Sequence, residues 1–177
     1  GRVDDDFLGW EVSIVPDMDG DGMGDLVTSS FPLGSFFGTG EVMLFFGPVT
    51  GTLQLGDGLI LAAESGDAPQ LGRYVATSAG DVPGDGLADL IVGAPGSDEG
   101  VNGGGAVYIF AGPITSATEF GIPTATLTGN ENNDFPGTNY AGGDFNGDGI
   151  DDALFGAYYA NETVWEDGTE EAWLFHG

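Results

Sequence analysis

The sequence predicts an all-β fold: three four-stranded antiparallel blade-like repeats forming an incomplete β-propeller. Three observations predict it. Landmarks recur with a period of about 64 residues, the apolar runs are short and cut by Gly, Pro, Asp and Ser, and no stretch holds helical spacing through three turns. The period is visible in the first aspartates of three similar loops, Asp17, Asp81 and Asp144, which lie 64 and 63 residues apart. The preceding glycines, Gly9, Gly72 and Gly137, are 63 and 65 apart. Chance placement of glycine and proline would not keep this register.

Each unit can be followed in order. In the first (residues 1–63), strands are expected at Trp10–Val15, Leu26–Ser30, Val42–Phe46 and Leu59–Ala63. The second (64–127) echoes them at Tyr74–Ala79, Leu90–Gly93, Ala106–Phe110 and Ala125–Leu127. The third (128–177) repeats the loop from Asp144 to Tyr158 and the run Glu170–Gly177, with no run for a fourth strand. The stretches Thr50–Gly58 and Ser97–Gly103 join strands rather than domains, so 1–177 reads as one repeat domain. Four short strands per unit is the pattern of a propeller blade, and a ring takes roughly four to eight of them. The missing strand would precede Phe7 or follow Gly177, so the array is expected to be completed by other copies of itself or by neighbouring repeats.

Charge excludes several functions. The 177 residues carry 2 basic and 29 acidic side chains, a net charge of −27, with Arg2 and Arg73 the cations. That composition cannot track phosphates, so nucleic acid is not an expected partner, and an anionic membrane surface would repel it. No apolar run is long enough to span a bilayer, and membrane insertion is not expected; a targeting segment for secretion would lie outside these residues. Zero cysteines removes disulfides, thiolate metal sites and cysteine nucleophiles. Unpaired carboxylates repel one another and oppose compaction, so they are either solvated in salt or neutralised by bound cations.

The aspartate positions favour cations. From Asp17 to Asp25 the spacing is D-x-D-x-D-G-x-x-D: Asp17, Asp19, Asp21 and Asp25 at positions 1, 3, 5 and 9, and the Met23 carbonyl at position 7. Alternate carboxylates on a tightly curled loop converge on one point, and several hard oxygens in flexible geometry suit Ca²⁺. The third loop offers Asp144, Asn146, Asp148, the Ile150 carbonyl and Asp152. The second keeps Asp81, Asp85, the Leu87 carbonyl and Asp89, but Pro83 stands at position 3, so a weaker or water-completed site is expected. An EF-hand fails, because its twelfth position needs Glu and here holds Thr28, Val92 or Phe155, and because the flanks read as strands.

Together, Phe7-Leu8-Gly9, the aspartate loop, Gly93-Ala94-Pro95 and the strand after Gly104 resemble the FG-GAP repeat of integrin α-subunit propellers. Repeats 1 and 3 hold Ser29-Ser30-Phe31-Pro32 and Gly156-Ala157-Tyr158 in place of Gly-Ala-Pro. The resemblance implies four-stranded blades and loops whose residues named above are structural calcium ligands rather than catalytic groups.

Other candidates are weaker. Glu162, Glu166, Asp167, Glu170 and Glu171 lie near Trp165 and Trp173, a composition that could serve glycoside cleavage but reads first as a solvated acidic loop. His176 is the single histidine and falls in an expected strand. No nucleophile–base context, phosphate loop or zinc-protease motif occurs. Tyr158, Tyr159 and Trp165 are candidates for an exposed contact surface, and Asn161-Glu162-Thr163 is an N-glycosylation sequon. The expectation is a non-enzymatic, calcium-binding extracellular or cell-surface module in adhesion or self-assembly, including fibre formation. The alternative is a glycan-binding, lectin-like propeller, with glycans or cell-surface proteins as partners.

Overall fold

A computed structural model of the chain describes residues 7–30, 40–62, 70–74, 76–117, 121–129, 136–157 and 171–177. Two glycines show how the repeats close on one another. Gly72 has φ +67°, and a side chain there would strike Val42 and Ser29 of the preceding repeat. Gly80 has φ +83°, and a side chain there would strike Asp151 of the following one. Both positions combine a left-handed backbone with a close approach that a Cβ would block.

The strands are β1 (Val12–Val15), β2 (Asp25–Ser30), β3 (Glu41–Phe45), β4 (Leu59–Ala62), β5 (Ala76–Gly80), β6 (Asp89–Ala94), β7 (Ala106–Phe110), β8 (Ala125–Thr128), β9 (Pro136–Gly143), β10 (Asp152–Ala157) and β11 (Glu171–Phe175). They form antiparallel sheets ordered β1-β2-β3-β4, β5-β6-β7-β8 and β9-β10-β11, here blades 1, 2 and 3. The expected strands of units 1 and 2 are all present, with ends shifted by a residue or two. Blade 3 has three strands among the described residues, in the unit where the sequence offers no run for a fourth.

Register makes the repeat exact in three dimensions. Leu26 pairs with Phe45, Leu90 with Phe110 and Ala153 with Phe175. The first strands, β1, β5 and β9, sit side by side, and the Ser13 and Thr77 hydroxyls meet at 3.1 Å. Propeller-like order thus places one strand of each sheet near a common centre, with β4 and β8 at the opposite sheet edges.

Two cores lie between the blades. Val27, Val42 and Leu44 of blade 1 pack against Leu90, Val92 and Phe110 of blade 2. The other face of blade 2, with Ile91, Val107 and Ile109, packs against Ala153 and Phe155 of blade 3. Burial on both faces explains why β6 reads DLIVGA without polar alternation. Each such aliphatic side chain stabilises by about 1.5–3 kcal/mol when fully buried. These cores hold the blades at fixed spacing, and the blades in turn carry the aspartate loops at their β1–β2, β5–β6 and β9–β10 turns.

Candidate metal-binding loops

Each aspartate loop is organised by its first carboxylate. Asp17 Oδ1 accepts the N–H groups of Gly20 (2.7 Å) and Asp21 (3.1 Å), and Oδ2 accepts that of Gly22 (2.7 Å). Asp144 does the same with Gly147 (2.6 Å), Asp148 (3.1 Å) and Gly149 (2.9 Å). Asp81 accepts from Asp85 and Gly86, both at 2.8 Å. The position-5 carboxylates then accept the position-7 amides: Met23 onto Asp21, Leu87 onto Asp85 and Ile150 onto Asp148. The hydrogen bond from Gly22, helped by those from Gly20 and Asp21, holds Asp17 below the usual carboxylate range.

Loop 1 gathers charge on this frame. One carboxylate oxygen from each of Asp17, Asp19 and Asp21 lies within 4.8 Å of the other two. Among the described residues, no other trio of acidic or histidine side chains converges so closely. In loop 3, Asn146 takes the place of Asp19; its Oδ1 accepts the Asp148 amide and its Nδ2 donates to Asp148 Oδ2, each at 2.8 Å. Loop 2 has Pro83 there and no side-chain oxygen. Hard, closely spaced oxygens at a solvent-facing turn are a donor set that fits Ca²⁺, most fully in loop 1.

The position-9 aspartates stand apart from this group. Asp25 is buried; its Oδ2 accepts the Met18 amide at 2.7 Å and its Oδ1 the Gly47 amide at 2.8 Å. Asp89 repeats both bonds with Val82 (2.7 Å) and Gly112 (3.2 Å). Asp152 repeats them with Phe145 (2.8 Å) and Gly177 (3.3 Å), and adds His176 Nδ1 at 2.9 Å. Each therefore ties the start of its loop to the end of the blade's third strand. Burial pushes Asp25 up, and pushes Asp89 up to about 6. Burial acts the same way on Asp152, but the bonds from His176, Phe145 and Gly177 outweigh it and hold that carboxyl below its ordinary value.

The structure adds residues that sequence reasoning missed. Gly47, Gly112 and Gly177 supply the second amide to each position-9 aspartate, and their recurrence after each third strand was the available signal. Asp151 links two loops: its Oδ2 accepts the Asp81 amide at 3.0 Å, and its own N–H donates to the Asp81 carbonyl at 3.1 Å. Loops 1 and 2 carry Gly24 and Ala88 at that position, so no repeat pattern announced it. Residues 158–170, including Tyr158, Tyr159, Asn161, Glu162, Trp165, Glu166, Asp167 and Glu170, lie outside the described residues.

The amide of Gly72 donates to the carbonyl of Gly93 at 2.7 Å, as Gly9 does to Ser29 at 2.9 Å. In blades 1 and 2 this bond ties the glycine before the first strand to the second strand, and in blade 2 the accepting residue opens Gly93-Ala94-Pro95. The family model described as FG-GAP repeat matches residues 74–110, from the entry of β5 to the end of β7. No curated protein matches the chain. No helix among the described residues is long and apolar enough to cross a membrane. The chain thus carries an FG-GAP repeat in its second unit, set among blade-like sheets of an incomplete β-propeller.

Proposed function

We propose that this chain is a non-enzymatic, calcium-binding FG-GAP repeat module that works outside the cell or at its surface, with a structural role in adhesion or self-assembly. The observation that carries the reading is the convergence of Asp17, Asp19 and Asp21 on a loop frame that recurs in all three blades. Calcium there would cancel repulsion between carboxylates that the fold forces together, and would couple ion binding to stability. The millimolar calcium outside cells suits exposed sites of this kind. Asp17, Asp19, Asp21 and the Met23 carbonyl would hold the ion in loop 1, and Asp144, Asn146, Asp148 and the Ile150 carbonyl in loop 3. Asp25, Asp89 and Asp152 would anchor the loops, contributing to coordination only through lone pairs left by their amide bonds.

Thermal unfolding in calcium, in magnesium and in chelator tests this. Calcium should raise the midpoint well above that in chelator, and magnesium should do so less. Identical midpoints in all three would refute the reading. A glycan-binding reading rests on a different observation: Trp10 and Tyr74, both partly exposed, flank Arg73 at the junction of blades 1 and 2. Trp10 Nε1 donates to the Arg73 carbonyl at 2.6 Å, and the Arg73 guanidinium lies 4.9 Å from the Tyr74 ring centre. Binding on a glycan array that Trp10→Ala abolishes would favour it; an array with no hits would remove it.

A further inference from the structure

Blade 2 packs one face on blade 1 and the other on blade 3. At the first junction, Met18 of loop 1 and Leu44 of β3 are the forward-facing residues, both 0% exposed. They meet Leu71 and Ile114 of blade 2, and the Ile114 amide donates to the Met18 carbonyl at 2.6 Å. The equivalent forward positions of blade 2, Val82 and Ile109, are buried against blade 3. In blade 3 those positions are Phe145 and Leu174, and they are 70% and 41% exposed. The backward side mirrors this. Leu71 and Ile114 are 2% and 1% exposed, whereas their counterparts in blade 1, Leu8 and Val49, are 47% and 44% exposed. Ile14 of β1, paired with Leu26 of β2 on the same backward face of blade 1, is also largely exposed.

We propose that the forward face of blade 3, led by Phe145 and Leu174, docks on the backward face of blade 1 of a second copy, centred on Leu8 and Val49. This rests on the self-assembly part of the proposed function and names its surfaces. The occupant follows from continuity with the two junctions inside the chain. The positions exposed on blade 3 are those that blades 1 and 2 bury, and the positions exposed on blade 1 are those that receive them in blade 2. Like faces would set one protruding residue against another, so the contact is heterologous, closing into a ring or extending as a filament according to its rotation. A charge of −27 per copy opposes association, which is therefore strengthened by calcium and by salt.

Light scattering after size exclusion, in calcium and at rising protein concentration, is the test. The wild-type chain should exceed the 18.1 kDa of a single copy. Phe145→Asp and Val49→Asp should each return to single-chain mass, because each lacks one of the two faces. An equimolar mixture of the two should give twice the single-chain mass and nothing larger, since it retains one intact forward face and one intact backward face. Leu174→Asp and Leu8→Asp repeat the experiment should a first variant fail to keep the wild-type circular dichroism. A wild type that stays at 18.1 kDa, single variants that still associate, or a mixture that does not pair would each overturn the proposal. Calcium-dependent melting of a single-copy wild type would overturn the docking alone and leave the calcium reading standing.

Discussion

Loops 1 and 2 share a backbone frame and differ in what they place inside it. In both, the first carboxylate gathers loop amides, the fifth position accepts the amide of the seventh, and a buried ninth carboxylate fastens the loop to the third strand. Only loop 1 brings three carboxylates together, because Pro83 replaces the side chain that Asp19 supplies. Loop 2 is tied instead to the neighbouring blade, through the paired bonds between Asp81 and Asp151. The loop shape therefore depends on positions 1, 5 and 9 and on the glycines, while the convergence of charge depends on position 3. Holding a loop in place and holding an ion are separable tasks.

The largest expected effect comes from breaking what the two loops share. Asp25→Ala or Asp89→Ala leaves two amides without their buried acceptor, and should cost roughly 2–5 kcal/mol in urea unfolding. The comparison fails if either variant is no less stable than Asp21→Ala measured in chelator.

What the loops do not share comes next. Saturating calcium should stabilise the wild-type chain by about 3 kcal/mol at a hundredfold excess over Kd. Asp21→Ala and Asp148→Ala should each remove part of that gain, and Asp85→Ala should remove less. Pro83→Asp sharpens the test by restoring the missing carboxylate: calorimetry should then count one more bound calcium per chain. Equal losses at all three aspartates would show that Pro83 is no handicap.

Acidity gives a smaller and opposite-looking signal. Asp89 is raised by burial to about 6, so the folded state takes up its proton more readily than the unfolded chain does. In chelator, stability should rise as pH falls from 7 through 6 toward 4, by on the order of 2 kcal/mol, with Asp25 adding the same sign. Asp89→Asn should flatten that slope, and a slope unchanged in this variant would place its source elsewhere. The smallest effect is expected for His176→Ala. Losing the His176 bond raises the folded Asp152 carboxyl, so a slight loss of stability at neutral pH should disappear once that group is protonated in acid. Urea titrations of wild type and variant at both pH values would measure the difference.

Much of this architecture was legible because it is written locally and repeated. The strands of units 1 and 2 follow from short apolar runs between turn residues, and the loops from carboxylates at odd positions with Gly20, Gly22 and their counterparts at positive φ. The role of Asp25, Asp89 and Asp152 was harder to read. Spacing groups them with the other loop carboxylates, but it does not show that they are buried beneath Gly47, Gly112 and Gly177 and also fasten the loop through those amides, because burial is not visible in a loop motif. Asp151 was illegible for a related reason: its partner is an amide 70 residues away, and the other repeats give it no counterpart.

The sequence by itself determined the repeat, the β character, the carboxylate count of each loop and the deficiency at Pro83, because each depends on residues close together in the chain. Only the tertiary structure decided which carboxylates converge and which are buried, that loop 2 leans on loop 3, and that Phe145 stands exposed where Met18 and Val82 are covered. The physical reason is common to these. Hydrogen-bond geometry within a turn is set by nearest neighbours, whereas burial is set by whichever blade packs against the turn, and equivalent residues meet different surroundings at each junction and at each outer face.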